Sequence, residues 1–282
     1  MKRLLIIILS TFVFTTSSAD TNKIKNKFFS SIENFLNINF EDTDFSIKSK
    51  EGNKPEIGIL TFKPLKDNDD GLTFFQGSLF THDGDRETIN LGLGKRAFSE
   101  DKSFIYGINI FYDHELDYNH QRGSIGGEIK SSIIELNTNH YFGISEQRTG
   151  KNSIKEDVAD GYDLELGAHV PYMPTTKIYT KLFEYEIPGG SDFEGMEYSS
   201  SIGIPNSGLN VEVGFKDYGN SSYEDQWFIN LTFNTNKINK NTTLISEEAF
   251  EKVSMEDKKY DKVRRENLIV KSKSFSVKAG GF

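Results

Sequence analysis

From residue 43 onward the sequence alternates. In RETINLGLGKR (86–96), Ile89, Leu91 and Leu93 fall on one parity, while Thr88, Asn90, Gly92 and Gly94 fall on the other. Only a strand, whose side chains point to opposite faces in turn, sorts residues this way. The same period of two runs through KSFIYGINIFYDH (102–114), DGYDLELGAHV (160–170), LNVEVGFKDYG (209–219) and QWFINLTFN (226–234). Twelve such segments are expected, at 43–50, 55–66, 73–82, 86–96, 102–113, 120–131, 133–142, 160–169, 175–186, 195–204, 208–218 and 223–234.

A soluble strand averages about five or six residues. These segments come closer to the roughly 9–11 residues of a tilted strand crossing a bilayer. A soluble sandwich would also alternate, so the discriminating feature is the second face. It is rich in Gly, Asn, Ser and charge, while the apolar parity ends in aromatics assigned here to interfacial girdles: Tyr112, Phe142, Tyr218, Trp227 and Phe233. Short links such as HDGD (82–85), FSED (98–101) and PNSG (205–208) contrast with the polar ISEQRTGKNSIKEDVA (144–159). The expected fold is therefore all-β: a 12-stranded antiparallel transmembrane β-barrel at 43–236, with a short N-terminal helix and a C-terminal helical linker in its lumen.

The flanks are read as follows. Residues 1–19, MKRLLIIILSTFVFTTSSA, have two basic residues, an apolar stretch too short to span a bilayer, and a small-residue exit, which is the pattern of a cleaved signal peptide. Within 20–42, Ile24, Phe28, Phe29, Ile32, Phe35 and Leu36 lie on one side of a helix, expected to cap the barrel on its periplasmic side rather than anchor at the membrane surface. The chain has no cysteine, so its stability rests on burial and strand pairing instead of disulfides.

Charge is divided along the chain. Residues 237–282 hold eleven Lys/Arg against seven Asp/Glu, a net of +4; with Lys2 and Arg3 in the leader, residues 20–236 must carry −15 of the overall −9. An acidic body argues against nucleic-acid binding and for association with the basic tail.

The blocks FFQGSLFTHDGDRETINLGLGKR (74–96), GINIFYDHE (107–115), HQRGSIGGE (120–128), ELNTNHYFG (135–143) and DGYDLELGAHVPYMP (160–174) resemble, in order, the barrel of inverse autotransporters, the intimin and invasin family. That resemblance implies an outer-membrane translocator that passes its C-terminal side through its own lumen as a hairpin. It also implies a linker helix filling the pore, here expected within 237–270 and centred on SEEAFEKVSMEDKKYDKVRRE (246–266). Ser246 is a candidate N-cap, with Glu247 and Glu248 in the first turn. Asp163, Glu165, Glu212 and Lys216, all on the polar parity, are the candidate lumen-facing contacts of that linker. Residues 271–282 are expected to be a short exposed remnant, with little passenger. The family's adhesion or invasion, and with it a host-cell receptor, is therefore an expectation of the resemblance alone.

The other expected partners are outer-membrane lipid, periplasmic chaperones and the barrel-assembly machinery. WFINLTF (227–233) resembles the signal that machinery reads, although Phe228 stands where glycine is usual. No cofactor, metal or catalytic set is expected. His82, His114, His120, His140 and His169 are scattered without metal spacing, and HDGDRE (82–87) lacks the ligand spacing of a calcium loop. Two rival functions remain beside the translocator: a plugged stand-alone barrel or passive pore, and a periplasmic ligand-binding sandwich.

Overall fold

A computed structural model describes residues 42–187, 191–219, 222–234, 243–250 and 255–272. The leader at 1–19, the helix expected within 20–42 and the segment after 272 lie outside the described residues.

Twelve long strands are present where the alternation places them: β1 (Asp42–Lys50), β2 (Glu56–Asn68), β3 (Gly71–His82), β4 (Arg86–Phe98), β5 (Ile105–Glu115), β6 (Gln121–Lys130), β7 (Ile134–Gly143), β10 (Asp160–Val170), β11 (Met173–Glu186), β12 (Phe193–Gly203), β13 (Leu209–Tyr218) and β14 (Gln226–Asn234). Two short strands, β8 (Arg148–Thr149) and β9 (Lys155–Glu156), pair within the long link and were not foreseen. The long strands pair antiparallel with their neighbours, and β1 pairs with β14, closing the sheet into a barrel. Closure removes the unpaired edges that a membrane would not tolerate.

The faces are inverted relative to a soluble protein. Along β5, Ile108 and Ile110 are 68% and 57% exposed, while the intervening Asn109 is 3% exposed. Apolar side chains therefore cover the outside, and Asn90, Arg96, Asp113, Arg122, Glu128 and Asn139 are buried inside. An oily outer wall with a polar interior is the arrangement of an outer-membrane barrel and excludes the sandwich. Among the described residues no helix is long and apolar enough to cross a membrane.

One girdle assignment is corrected. Tyr218 shares the parity of Lys216, turns inward and packs with Phe183, Phe193 and Tyr223. Tyr112, Phe142 and Trp227 do lie on the exposed face.

The 83–85 link is a tight hairpin in which Asp83 and Gly84 both have positive φ, 50° and 82°, as the twist of paired strands favours. Links at 69–70, 99–104, 131–133, 171–172 and 204–208 lie at the end where β1 starts and β14 finishes, here the entry end. Those at 51–55, 83–85, 116–120 and 144–159 lie at the opposite, exit end, where β11 ends and β12 begins and where β13 ends and β14 begins.

The lipid-facing assignment is tested by Ile110→Arg. An arginine at mid-strand on that face should destabilise the barrel by about 2–4 kcal/mol in bilayer vesicles, measured by urea unfolding. No loss would contradict the inverted faces.

Candidate functional site

The site is the lumen itself, and its ligand is the chain's own tail. At the entry end, the Ser246 amide donates to the Tyr172 carbonyl (2.9 Å) and the Tyr172 amide donates to the Ala249 carbonyl (2.8 Å). One helical turn follows, α1 (Met255–Lys258). There the Lys258 ammonium donates to the carbonyls of Ser131 (2.6 Å) and Ser132 (3.2 Å) in the β6–β7 turn, and Lys259 pairs with Asp67 (2.7 Å).

The linker expected to be helical within 237–270 is thus, among the described residues, a single turn followed by chain with neither helix nor strand at 262–267. The physical reason lies in the wall. An extended segment lacks internal backbone bonds, and a buried N–H or C=O must find a partner; here the barrel's inner side chains supply them. Arg96 donates to the carbonyls of Lys259 (2.5 Å) and Asp261 (2.6 Å). The Val263 amide donates to Gln76 (2.8 Å), whose own amide donates back to the Val263 carbonyl (3.4 Å). Asn139 donates to the Arg264 carbonyl (3.0 Å), and the Glu266 amide donates to the Tyr141 hydroxyl (2.7 Å). Arg122 donates to the carbonyls of Glu266 (2.7 Å) and Leu268 (2.9 Å), and Asn90 donates to that of Asn267 (2.9 Å).

Three tail cations meet acids on the wall. Lys262 pairs with Asp42 (2.5 Å). Arg264 grips Glu165 through two nitrogens (2.5 and 3.0 Å) and reaches Glu212 (3.1 Å). Arg265 makes a two-pronged pair with Asp113 (2.8 and 2.7 Å), and Arg122 also bonds Asp113 (2.8 Å). Such forked pairs fix geometry as well as charge. The Arg265 guanidinium lies 4.2 Å from the Phe111 ring centre, and that of Arg264 3.7 Å from Tyr179. Gly92 makes room for the first of these rings, because a Cβ there would meet Phe111 at 2.1 Å.

Of the four expected contacts, Glu165 and Glu212 touch the tail directly. Asp163 stands one step behind: it accepts from Tyr141 (2.7 Å) and Asn139 (2.7 Å), both of which hold the tail. Lys216 pairs with Glu197 (3.1 Å) on the wall and meets the tail only at longer range, through its attraction to the Glu266 carboxylate. Gln76, Arg96, Asp113, Arg122 and Tyr141 were missed. Their only signal was inward parity, shared with many residues that do not touch the tail.

At the exit end the tail pairs with the long link. The Ala159 amide donates to the Val270 carbonyl (3.0 Å), the Ser272 amide donates to the Asp157 carbonyl (2.9 Å), and Val158 forms an antiparallel bridge with Lys271. Lys271 and Ser272, expected in an exposed remnant, are instead buried. The Lys271 ammonium pairs with Glu115. Arg86 spans Glu115 (2.9 Å) and Glu156 (2.6 and 2.9 Å), and His120 bonds Glu156 (3.0 Å).

Glu115, His120 and Glu156 bring ligand-type atoms within 4.8 Å of one another. Two carboxylates facing two cations already form a neutral set, so the cluster reads as a salt-bridge network. Burial would raise the Glu156 carboxyl, but the bonds from His120 and Arg86 outweigh it and hold the group at about 2.

Removal of the Arg265 side chain should leave Asp113 under-neutralised in a buried site. Arg265→Met is expected to cost about 3 kcal/mol in urea unfolding. It should couple to Asp113→Asn by more than about 1 kcal/mol in a double-mutant cycle. Additive effects would contradict the pairing.

A family model, inverse autotransporter β-domain, matches residues 11–267. The chain is 31% identical over 136 residues to the inverse autotransporter adhesin YeeJ of Escherichia coli K12, covering 47% of this chain and 5% of that protein. It is 24% identical over 208 residues to invasin of Yersinia enterocolitica (70% of this chain, 24% of invasin). It is also 24% identical over 234 residues to intimin of Escherichia coli O111:H- (79% and 25%). The chain thus spans well under half the length of these relatives. A membrane-protein structure from work on in-meso crystallization shares the fold, with a TM-score of 0.66, 20% identity, and coverage of 82% of this chain and 99% of that one. The closed barrel, its apolar outer face and the family match across most of its length place this protein in the outer membrane and make it a member of the inverse autotransporter β-domain family, a family of adhesins and translocator barrels.

Proposed function

We propose that this chain is a translocator and anchor that carries its C-terminal segment through its own lumen and displays it outside the cell. One observation supports the reading above the rest: contacts advance along the barrel as residue number rises. Lys258, Lys259 and Lys262 bond the entry-end rim at Ser131, Asp67 and Asp42, residues 263–268 bond side chains further along the lumen such as Gln76, Glu165 and Arg122, and residues 270–272 bond the long exit-end link. Outer-membrane barrels keep short turns in the periplasm and longer loops outside, so the 144–159 link marks the exit as extracellular. Insertion would use periplasmic chaperones and the barrel-assembly machinery, with β14 as the strand read. Adhesion, invasion and a host-cell receptor would belong to whatever segment is displayed.

The close fit of the tail to side chains around the lumen also favours a second reading, a plugged barrel that displays nothing. One experiment separates them. An epitope tag placed after Phe282 should be removed by protease added to intact cells while the barrel stays folded. A tag protected until the outer membrane is permeabilised would contradict display and leave the plugged barrel.

A further inference from the structure

The long exit-end link does more than connect β7 to β10. Its tip is fastened sideways, where Lys151 pairs with Asp85 (2.8 Å) in the β3–β4 turn. Its returning limb carries Glu156 into the barrel rim and then offers the backbone of 157–159 to the tail. Asp157 also uses its own amide, which donates to the Ser272 hydroxyl (2.8 Å). Link and tail therefore share one antiparallel β-pairing and one buried charge set.

That charge set is balanced only when the tail is present. Arg86 and Lys271 supply two positive charges, and Glu115 and Glu156 supply two negative ones. All four side chains are at most 6% exposed. His82 (3.7 Å from Glu115) and His120 complete the surroundings, with the Tyr118 ring against Arg86. Without Lys271, the two buried carboxylates would face Arg86 alone, and Arg86 is further drawn on by the exposed Asp83 (3.8 Å). A buried uncompensated charge is strongly unfavourable, and the group best able to escape is Glu156, because it rides on the surface link.

We propose that residues 144–159 form a strap that closes over the emerging chain, with its inner edge acting as a binding surface for the extended Val270–Lys271–Ser272 segment and with Lys271 as the cation that locks it shut. The strap fixes the register at which the tail comes to rest, since a shift of one residue would turn Lys271 away from Glu115. Coupling is reciprocal: the tail holds the strap closed, and the strap holds the tail in place.

This rests on the tail crossing the lumen, as under the proposed function, yet its test needs only purified, folded barrel. A tag that stays protected in cells would sink display and leave this coupling standing. The strap carries trypsin sites at Arg148, Lys151 and Lys155. In detergent, with heat-shifted gel migration confirming a folded barrel, Lys271→Met should speed cleavage at those sites about tenfold or more over the unmodified protein. Adding Glu115→Gln to Lys271→Met restores charge balance and should bring the cleavage rate back toward the starting value. Unchanged cleavage in Lys271→Met would overturn the lock. Fast cleavage that Glu115→Gln does not slow would also overturn it, because pairing lost for steric reasons does not respond to charge balance. If Lys271→Met alone fails to fold, the folded double variant decides: slow cleavage supports the charge account and fast cleavage overturns it.

Discussion

A polypeptide that runs extended through a barrel cannot bond to itself, so each amide, carbonyl and charge it buries must be met by the wall. This requirement organises the structure. It explains why Gln76, Asn90, Asn139 and Arg122 stand on the inner face aimed at backbone atoms. It explains why each of Lys262, Arg264, Arg265 and Lys271 meets an acid on the wall. An unpaired buried group costs more than a satisfied one contributes, so a tail one residue out of register would lose many partners at once.

The strand period lets one sequence meet two demands. Odd and even positions face different solvents: lipid outside, a polypeptide inside. On β5, Ile108, Ile110 and Tyr112 serve the first while Asn109, Phe111 and Asp113 serve the second. The inner layer is itself built in tiers. Gly92 admits Phe111 across the strand, Phe111 supports the Arg265 guanidinium, and Asp113 holds that guanidinium by its edge.

Much of this was legible in the sequence, because period two survives in every long segment. It fixed the strands, their closure and the inward parity of Asp163, Glu165, Glu212 and Lys216. Parity names a face but not a position around or along the lumen. That is why parity does not reveal that the ion pair of Lys216 is with Glu197 while the tail's Glu266 lies at longer range, and why Asp113 was passed over. The linker helix expected within 237–270 came from the family resemblance, with Ser246 as a local cap, whereas wall side chains of high sequence separation meet the backbone of 263–267. The rim cluster draws on residues 86, 115, 120, 156 and 271, of which only 115 and 120 are neighbours across one turn, and no local spacing connects the rest. β8 and β9, at two residues each, are too short to show a period.

The central claim is that the tail rests in one register, set by its wall partners. Because the chain has no cysteine, paired replacements can read that register directly. Gln76→Cys with Val263→Cys should crosslink efficiently under mild oxidation in folded, membrane-inserted protein, since those residues bond each other in both directions. Gln76→Cys with Lys259→Cys or with Asn267→Cys should not. Comparable crosslinking at all three tail positions would mean that the tail slides, and would contradict a lumen built to hold it in place.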